Sequence, residues 1–131
     1  MNTIITSFLV LSLLPIVCAW VSGYHRQKQL GKVDNKEPRV QSAQLTGPGA
    51  RAVAAQANCW EALIVFSAAI LAVYISGIAL EEVANLALVY TALRIIYVPL
   101  YIGNIDKLRS LVFLGGFGIC IYMFYLALNA N

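Results

Sequence analysis

Apolar residues along this chain come in long unbroken runs, not in the alternation that lines a soluble core. No charged side chain occurs from Met1 to Tyr24, nor from Ala62 to Leu80. The second run extends backward through the weakly polar Ala52–Trp60 and is interrupted by Glu61. A third runs from Val83 to Ile102, interrupted by Arg94, and a fourth from Ser110 to Asn131. A membrane-crossing helix needs about 20 mostly apolar residues. The pattern therefore predicts an all-α, four-helix transmembrane bundle in one domain, residues 1–131, with spans of roughly 2–24, 52–80, 83–102 and 110–129. An even number of spans puts both termini on one side.

Punctuation residues agree with this scheme. Thr46-Gly-Pro-Gly is a breaker cluster after which the second span begins, and Gly77 lies near its far end. Pro15 and Pro99 fall inside spans and predict kinks. Gly115, Gly116 and Gly118 permit close helix approach in the fourth span.

Charge gives the bundle a direction. The first connection, 25–51, carries Arg26, Lys28, Lys32, Lys36, Arg39 and Arg51 against Asp34 and Glu37. The second carries only Glu81 and Glu82, and the third, 103–109, carries Lys107 and Arg109 against Asp106. Basic loops stay cytoplasmic, so loops 25–51 and 103–109 are expected there and both termini on the other side. Composition then rules out the soluble alternative. The chain is 60% hydrophobic and 11% charged, against about 25% charged in soluble domains. The first span lacks the basic n-region and A-x-A site of a cleaved signal peptide, so it is expected to be retained. Compactness and the lack of targeting signals point to a bacterial-type inner membrane. Cys18, Cys59 and Cys120 lie inside apolar runs without metal-ligand spacing, so no metal is expected. No nucleic-acid motif appears, and the basic loops need only topology or anionic lipid headgroups to explain them.

Ionisable residues inside a span cost at least about 2.5 kcal/mol at the bilayer centre and mark functional sites by default. Here they are Glu61 and Arg94. At about 100° per residue, Arg51, Asn58 and Glu61 fall within about 80° on one helix, while Gln56 points roughly the opposite way. Tyr90, Arg94, Tyr97 and Tyr101 share a narrow face of the next helix, and Arg109-Ser110 opens the last. These groups converge on the basic end of the bundle. Such a pocket suits a small zwitterionic or anionic ligand, because Arg binds carboxylates in a bidentate fork. Two other readings stay open: a structural Glu61–Arg94 ion pair, and a proton-coupled transporter built around Glu61.

The run Arg51-Ala-Val-Ala-Ala-Gln56-Ala-Asn58-Cys-Trp-Glu61, with Arg94-Ile-Ile-Tyr97-Val-Pro-Leu-Tyr101 and Leu108-Arg109-Ser110, resembles the signature of the MAPEG family. These are the membrane-associated proteins in eicosanoid and glutathione metabolism. The resemblance covers essentially the whole chain. It implies a homotrimer that binds glutathione as co-substrate between neighbouring subunits and passes it to a lipophilic small molecule. Carried over by position, Asn58, Glu61, Tyr97, Tyr101 and Arg109 would line the site from one subunit. Gln56 would reach the neighbour's site, and Arg26, with Lys28 close by, would supply the basic residue at the end of the first helix. Arg109 would be catalytic, stabilising the thiolate, and Ser110 would hydrogen-bond the thiol. Glutathione-using members usually carry a second Arg where this chain has Ala54; Arg51 or Arg94 would have to compensate. A non-catalytic member that binds a lipid or a protein is the alternative this departure favours.

Overall fold

The computed structural model describes residues 1–130. Five helices follow one another: α1 (Asn2–Leu30), the short α2 (Pro38–Ser42), α3 (Gly47–Ile75), α4 (Ala84–Ile102) and α5 (Asp106–Leu128). Among the described residues there is no strand. The four long helices are each long and apolar enough to cross a membrane, so the all-α four-helix bundle is borne out.

Helix boundaries differ from the apolar runs for physical reasons. α1 continues past Tyr24 through the polar stretch His25–Gln29 and stops at Gly31. Gly31 takes a left-handed conformation (φ 76°) and its N–H closes on the Gln27 carbonyl at 3.1 Å. α3 starts earlier than its apolar run, at Gly47. Pro48 sits in the first turn, where its missing N–H costs nothing, so the breaker cluster is the helix start itself. The same helix ends at Ile75 rather than near Leu80. α5 begins at Asp106, which places an acidic side chain in its first turn, where a helix favours negative charge. α1 and α4 continue through Pro15 and Pro99.

α1 packs along α3 and α4, while α5 packs on α3 and α4. α1 and α3 meet closely at the basic end. A Cβ at Gly49 would lie 2.8 Å from the His25 Cβ, so glycine is required there. Gln29 adds a reciprocal pair, accepting from the Thr46 N–H and donating to its carbonyl, both at 3.1 Å. At the opposite end lies the main apolar core, built from Ile4, Leu11, Phe66, Val73, Val83, Ala87 and Met123. Phe66 stacks on Tyr90 with centroids 4.7 Å apart, and the Tyr90 hydroxyl donates to the Ala62 carbonyl at 2.9 Å. The Met1 ammonium lies 2.9 Å from the Glu81 carboxylate, so the N-terminus and the α3–α4 turn share this end. Many outward apolar side chains stay uncovered, Leu9, Ile64, Leu71 and Leu114 among them. In a bilayer they face a solvent as apolar as themselves.

The α4–α5 turn is only Gly103-Asn104-Ile105. Asn104 adopts φ 61°, which asparagine tolerates better than most residues. The Gly103 N–H bonds the Pro99 carbonyl at 2.9 Å and the Ile105 N–H the Leu100 carbonyl at 3.0 Å. This tight reversal sets the first turn of α5 beside the last turn of α4.

Candidate functional site

Arg94 organises the interior of the basic half. Its helix face turns it inward, leaving it 4% exposed. A buried guanidinium needs acceptors, and α3 supplies them. Arg94 Nη2 donates to the Asn58 side-chain oxygen at 2.8 Å, with the Asn58 carbonyl at 3.4 Å and the Cys59 sulfur at 3.9 Å. The guanidinium also stacks over the Tyr97 ring, 4.2 Å from its centroid. The Glu61–Arg94 ion pair is not formed. Among the described residues the one ion pair is that of Met1 with Glu81, and Arg94 uses a neutral amide instead.

Tyr97 continues the aromatic line to Tyr101, edge to face at 5.7 Å. Tyr101 in turn lies under Arg109, whose guanidinium carbon is 4.4 Å from the ring centroid. Arg109 is within reach because the short turn brings α5 back at once. Asn58, Tyr97, Tyr101, Arg109 and Ser110 line a single open cavity of about 380 Å³, closed on one side by Phe113. Tyr97 and Phe113 are 6.3 Å apart.

Deeper along the same three helices lies a second, largely apolar cavity of about 230 Å³. Asn58, Glu61 and Arg94 form its polar edge. Asn58 and Phe113 line both cavities, so the two adjoin. Ala62, Val65, Tyr90, Gly116, Phe117 and Cys120 complete the second one. Of these only Tyr90 lies on a polar stripe. Gly116, Phe117 and Cys120 follow Phe113 at helical spacing on α5, a signal that reads equally well as packing.

Gln56 and Arg26 do not join these cavities. As the helical spacing predicts, Gln56 faces away from Asn58. It lines a cavity of about 560 Å³ between α1, α2 and α3 together with Arg26, Arg39 and Trp60. Arg26 donates weakly to the Gln41 side chain and the Asp34 carbonyl, both at 3.4 Å. Its Nε is buried with no hydrogen-bond partner. Arg51 stands apart from all three cavities. Its Nε donates to the Ile102 carbonyl at 2.7 Å, capping the carboxyl end of α4, where positive charge is favoured. Among the described residues no group of three or more His, Cys, Asp or Glu side chains is placed to hold a metal.

The fold is that of an integral four-helix membrane bundle with an Arg/Tyr/Asn cavity at its basic end and an apolar cavity beneath. The MAPEG family model matches residues 3–129, and the chain belongs to the MAPEG family. It is thus a multi-pass membrane protein of the family associated with glutathione and eicosanoid metabolism. Neither the curated proteins nor the solved structures gave a match.

Proposed function

We propose that the protein is a glutathione-dependent transferase or peroxidase acting on lipophilic electrophiles, with Arg109 stabilising the glutathione thiolate. The observation that carries this reading is the convergence of Asn58, Tyr97, Tyr101, Arg109 and Ser110 on one cavity. Arg109, held over Tyr101, supplies fixed positive charge where a thiol must ionise. The thiolate is the nucleophile, and a neighbouring arginine lowers a thiol's pKa. Its charge is met without reorganisation at the moment of reaction. Asn58 spends its side-chain oxygen on Arg94, which leaves its NH₂ group free to donate to a ligand. Arg94, itself buried, acts here as a positioning residue.

Arg26 and Gln56 line the opposite side of α3. The same ligand can use both groups only if a second copy brings them to the first copy's cavity, which supports a homotrimer with shared sites. The unpartnered Nε of Arg26 suits a carboxylate arriving in that way. The basic loops 25–51 and 103–109 would face the cytoplasm, in a bacterial-type inner membrane, so that water-soluble glutathione reaches the site from that side.

The test is calorimetric titration of glutathione into the detergent-solubilised protein, with Arg109→Ala as the control. Binding heat is expected at millimolar glutathione. The thiolate ultraviolet absorbance is expected to rise in the wild type and vanish in the variant. A thiolate signal that persists in Arg109→Ala would remove Arg109 from the mechanism. A second reading, a non-catalytic member binding lipid or protein, is favoured by Ala54. Arg51 and Arg94, which would have to compensate, are both engaged within the chain. A wild type that gives no heat would establish that reading instead.

A further inference from the structure

We propose that Cys18 and Cys59 form a redox-active dithiol inside the membrane, which a small hydroperoxide oxidises to a disulfide that ties α1 to α3. Neither sulfur takes part in the glutathione reading above, and both belong to one chain. The α1–α3 contact places the pair. At the basic end Gln29 meets Thr46 and His25 meets Gly49. Cys18 stands about two turns inward from His25 on α1, and Cys59 about three turns inward from Gly49 on α3. Ser22, one turn along α1 from Cys18, is buried, as are Ala55 and Ala52, one and two turns back along α3 from Cys59. Such small residues let two helices approach closely. Cys18, Ala55, Cys59 and Val98 pack as one buried cluster, and the two thiols are within hydrogen-bonding reach of each other. Both are free thiols.

A third group sets the two sulfurs apart. Arg94 Nη2 donates to the Cys59 sulfur at 3.9 Å. Negative charge on Cys59 is therefore met by a buried cation, and the thiolate is the attacking form of a cysteine. Cys59 is accordingly assigned the first step. Its sulfur attacks one peroxide oxygen and the O–O bond breaks. The other oxygen leaves with the thiol proton, as an alcohol from an organic hydroperoxide or as water from hydrogen peroxide. Cys59 then carries a sulfenic acid. The Cys18 sulfur attacks the Cys59 sulfur, the S–S bond forms, and the hydroxyl leaves as water with the Cys18 proton. In sum the two thiols give up two electrons and two protons, and the hydroperoxide takes them. A soluble thiol reverses the change by exchange. Cys18 is fully buried and Cys59 nearly so, which restricts the oxidant to small molecules. Cys120 is a control within the same chain. It is equally buried, yet its core cluster contains no second cysteine.

The experiment exposes the full-length protein in lipid nanodiscs to hydrogen peroxide, then counts free thiols by maleimide mass tagging after unfolding in detergent. The untreated protein should take tags at all three cysteines, Cys18, Cys59 and Cys120. The treated protein is expected to lose two of the three tags and keep the one at Cys120. Peptide mapping should then show Cys18 joined to Cys59 within one chain, and dithiothreitol should restore all three tags. Cys120→Ser is expected to leave the disulfide unchanged. Cys18→Ser should stop the reaction at the sulfenic acid on Cys59, which dimedone added during unfolding captures. Cys59→Ser should give no dimedone adduct at Cys18. The wild-type tag count needs no variant, so it decides the matter even where a substitution disturbs the fold. Three tags retained at millimolar peroxide, crosslinks only between chains, or oxidation of Cys120 as fast as of the pair overturns the proposal. Equal dimedone capture at Cys18 and Cys59 in the two variants overturns the assigned order. None of these outcomes depends on glutathione binding.

Discussion

A buried arginine is expensive, and Arg94 is tolerated because α3 offers an amide oxygen at 2.8 Å. The asymmetry of hydrogen bonding then makes a definite prediction. Replacing Asn58 by Leu strands a buried charged donor and should cost about 2–3 kcal/mol of stability. Adding Arg94→Met to that variant removes the stranded charge and should recover part of the loss. Unfolding titrations of both single variants and the double variant form the cycle. Strict additivity would mean that the pair is not coupled. Helical arithmetic puts Asn58 and Glu61 on one face of their helix, and with Arg94 they do line one cavity, although only Arg94 is buried and Glu61 stays exposed. It does not give the rotation of one helix against the next, and that rotation hands Arg94 to Asn58 rather than to Glu61. Arg51 illustrates the same limit. It lies in the polar stripe of its own helix, yet the turn after Ile102 brings a bare carbonyl within its reach first.

At the scale of elements, the spans were legible because lipid demands charge-free runs. Their ends were not, because nothing in lipid stops a helix at the surface. The polar His25–Gln29 stretch simply keeps the helical conformation of the run before it. The first loop is likewise more ordered than its charge suggests. The Gln41 side chain donates to the Lys32 carbonyl at 2.8 Å and accepts from the Asp34 N–H at 2.8 Å. The Asp34 carboxylate accepts the N–H groups of Lys36 and Glu37 at 2.8 and 3.3 Å, just ahead of α2. These backbone donors hold the Asp34 carboxyl below the ordinary aspartate range. A depressed folded pKa means that the turn keeps its full support above the unfolded aspartate pKa and loses it as pH falls through the lowered value. Hydrogen-exchange protection of the Lys36 and Glu37 amides, corrected for intrinsic rates, should therefore hold at neutral pH and fall in acid. Asp34→Ala should abolish that protection at every pH. Protection indifferent to both changes would show that the turn is set by Gln41 alone.

At the scale of the whole molecule, the candidate ligand-binding groups lie on two sides of α3. Asn58 and Arg109 line one cavity and Arg26 and Gln56 another. If neighbouring copies complete each site, a subunit carrying Arg109→Ala and one carrying Arg26→Ala fail separately but rescue each other. Co-expressed and co-purified mixed oligomers should regain about a third of wild-type glutathione binding, since some interfaces then unite two intact halves. No recovery in a verified mixed oligomer would confine each site to one chain. The angular opposition of Asn58 and Gln56 was readable from spacing alone. The apolar cavity beneath was not, because Gly116 and Phe117 look like packing until three helices are placed around them.

The unequal helix lengths carry a consequence for the membrane that houses the protein. α1 and α3, each 29 residues, reach about 44 Å, whereas α4, at 19 residues, reaches only about 28 Å. The hydrocarbon layer is about 30 Å thick, so α4 is the gauge of hydrophobic mismatch for the whole bundle. It bears Arg94, Tyr97 and Tyr101 and has no length in reserve to tilt. A thicker bilayer would draw its Tyr101 end beneath the headgroups, away from a water-soluble ligand. A thinner one would leave that end at the surface. Bilayer thickness is therefore a physical variable that sets how readily the polar cavity meets water.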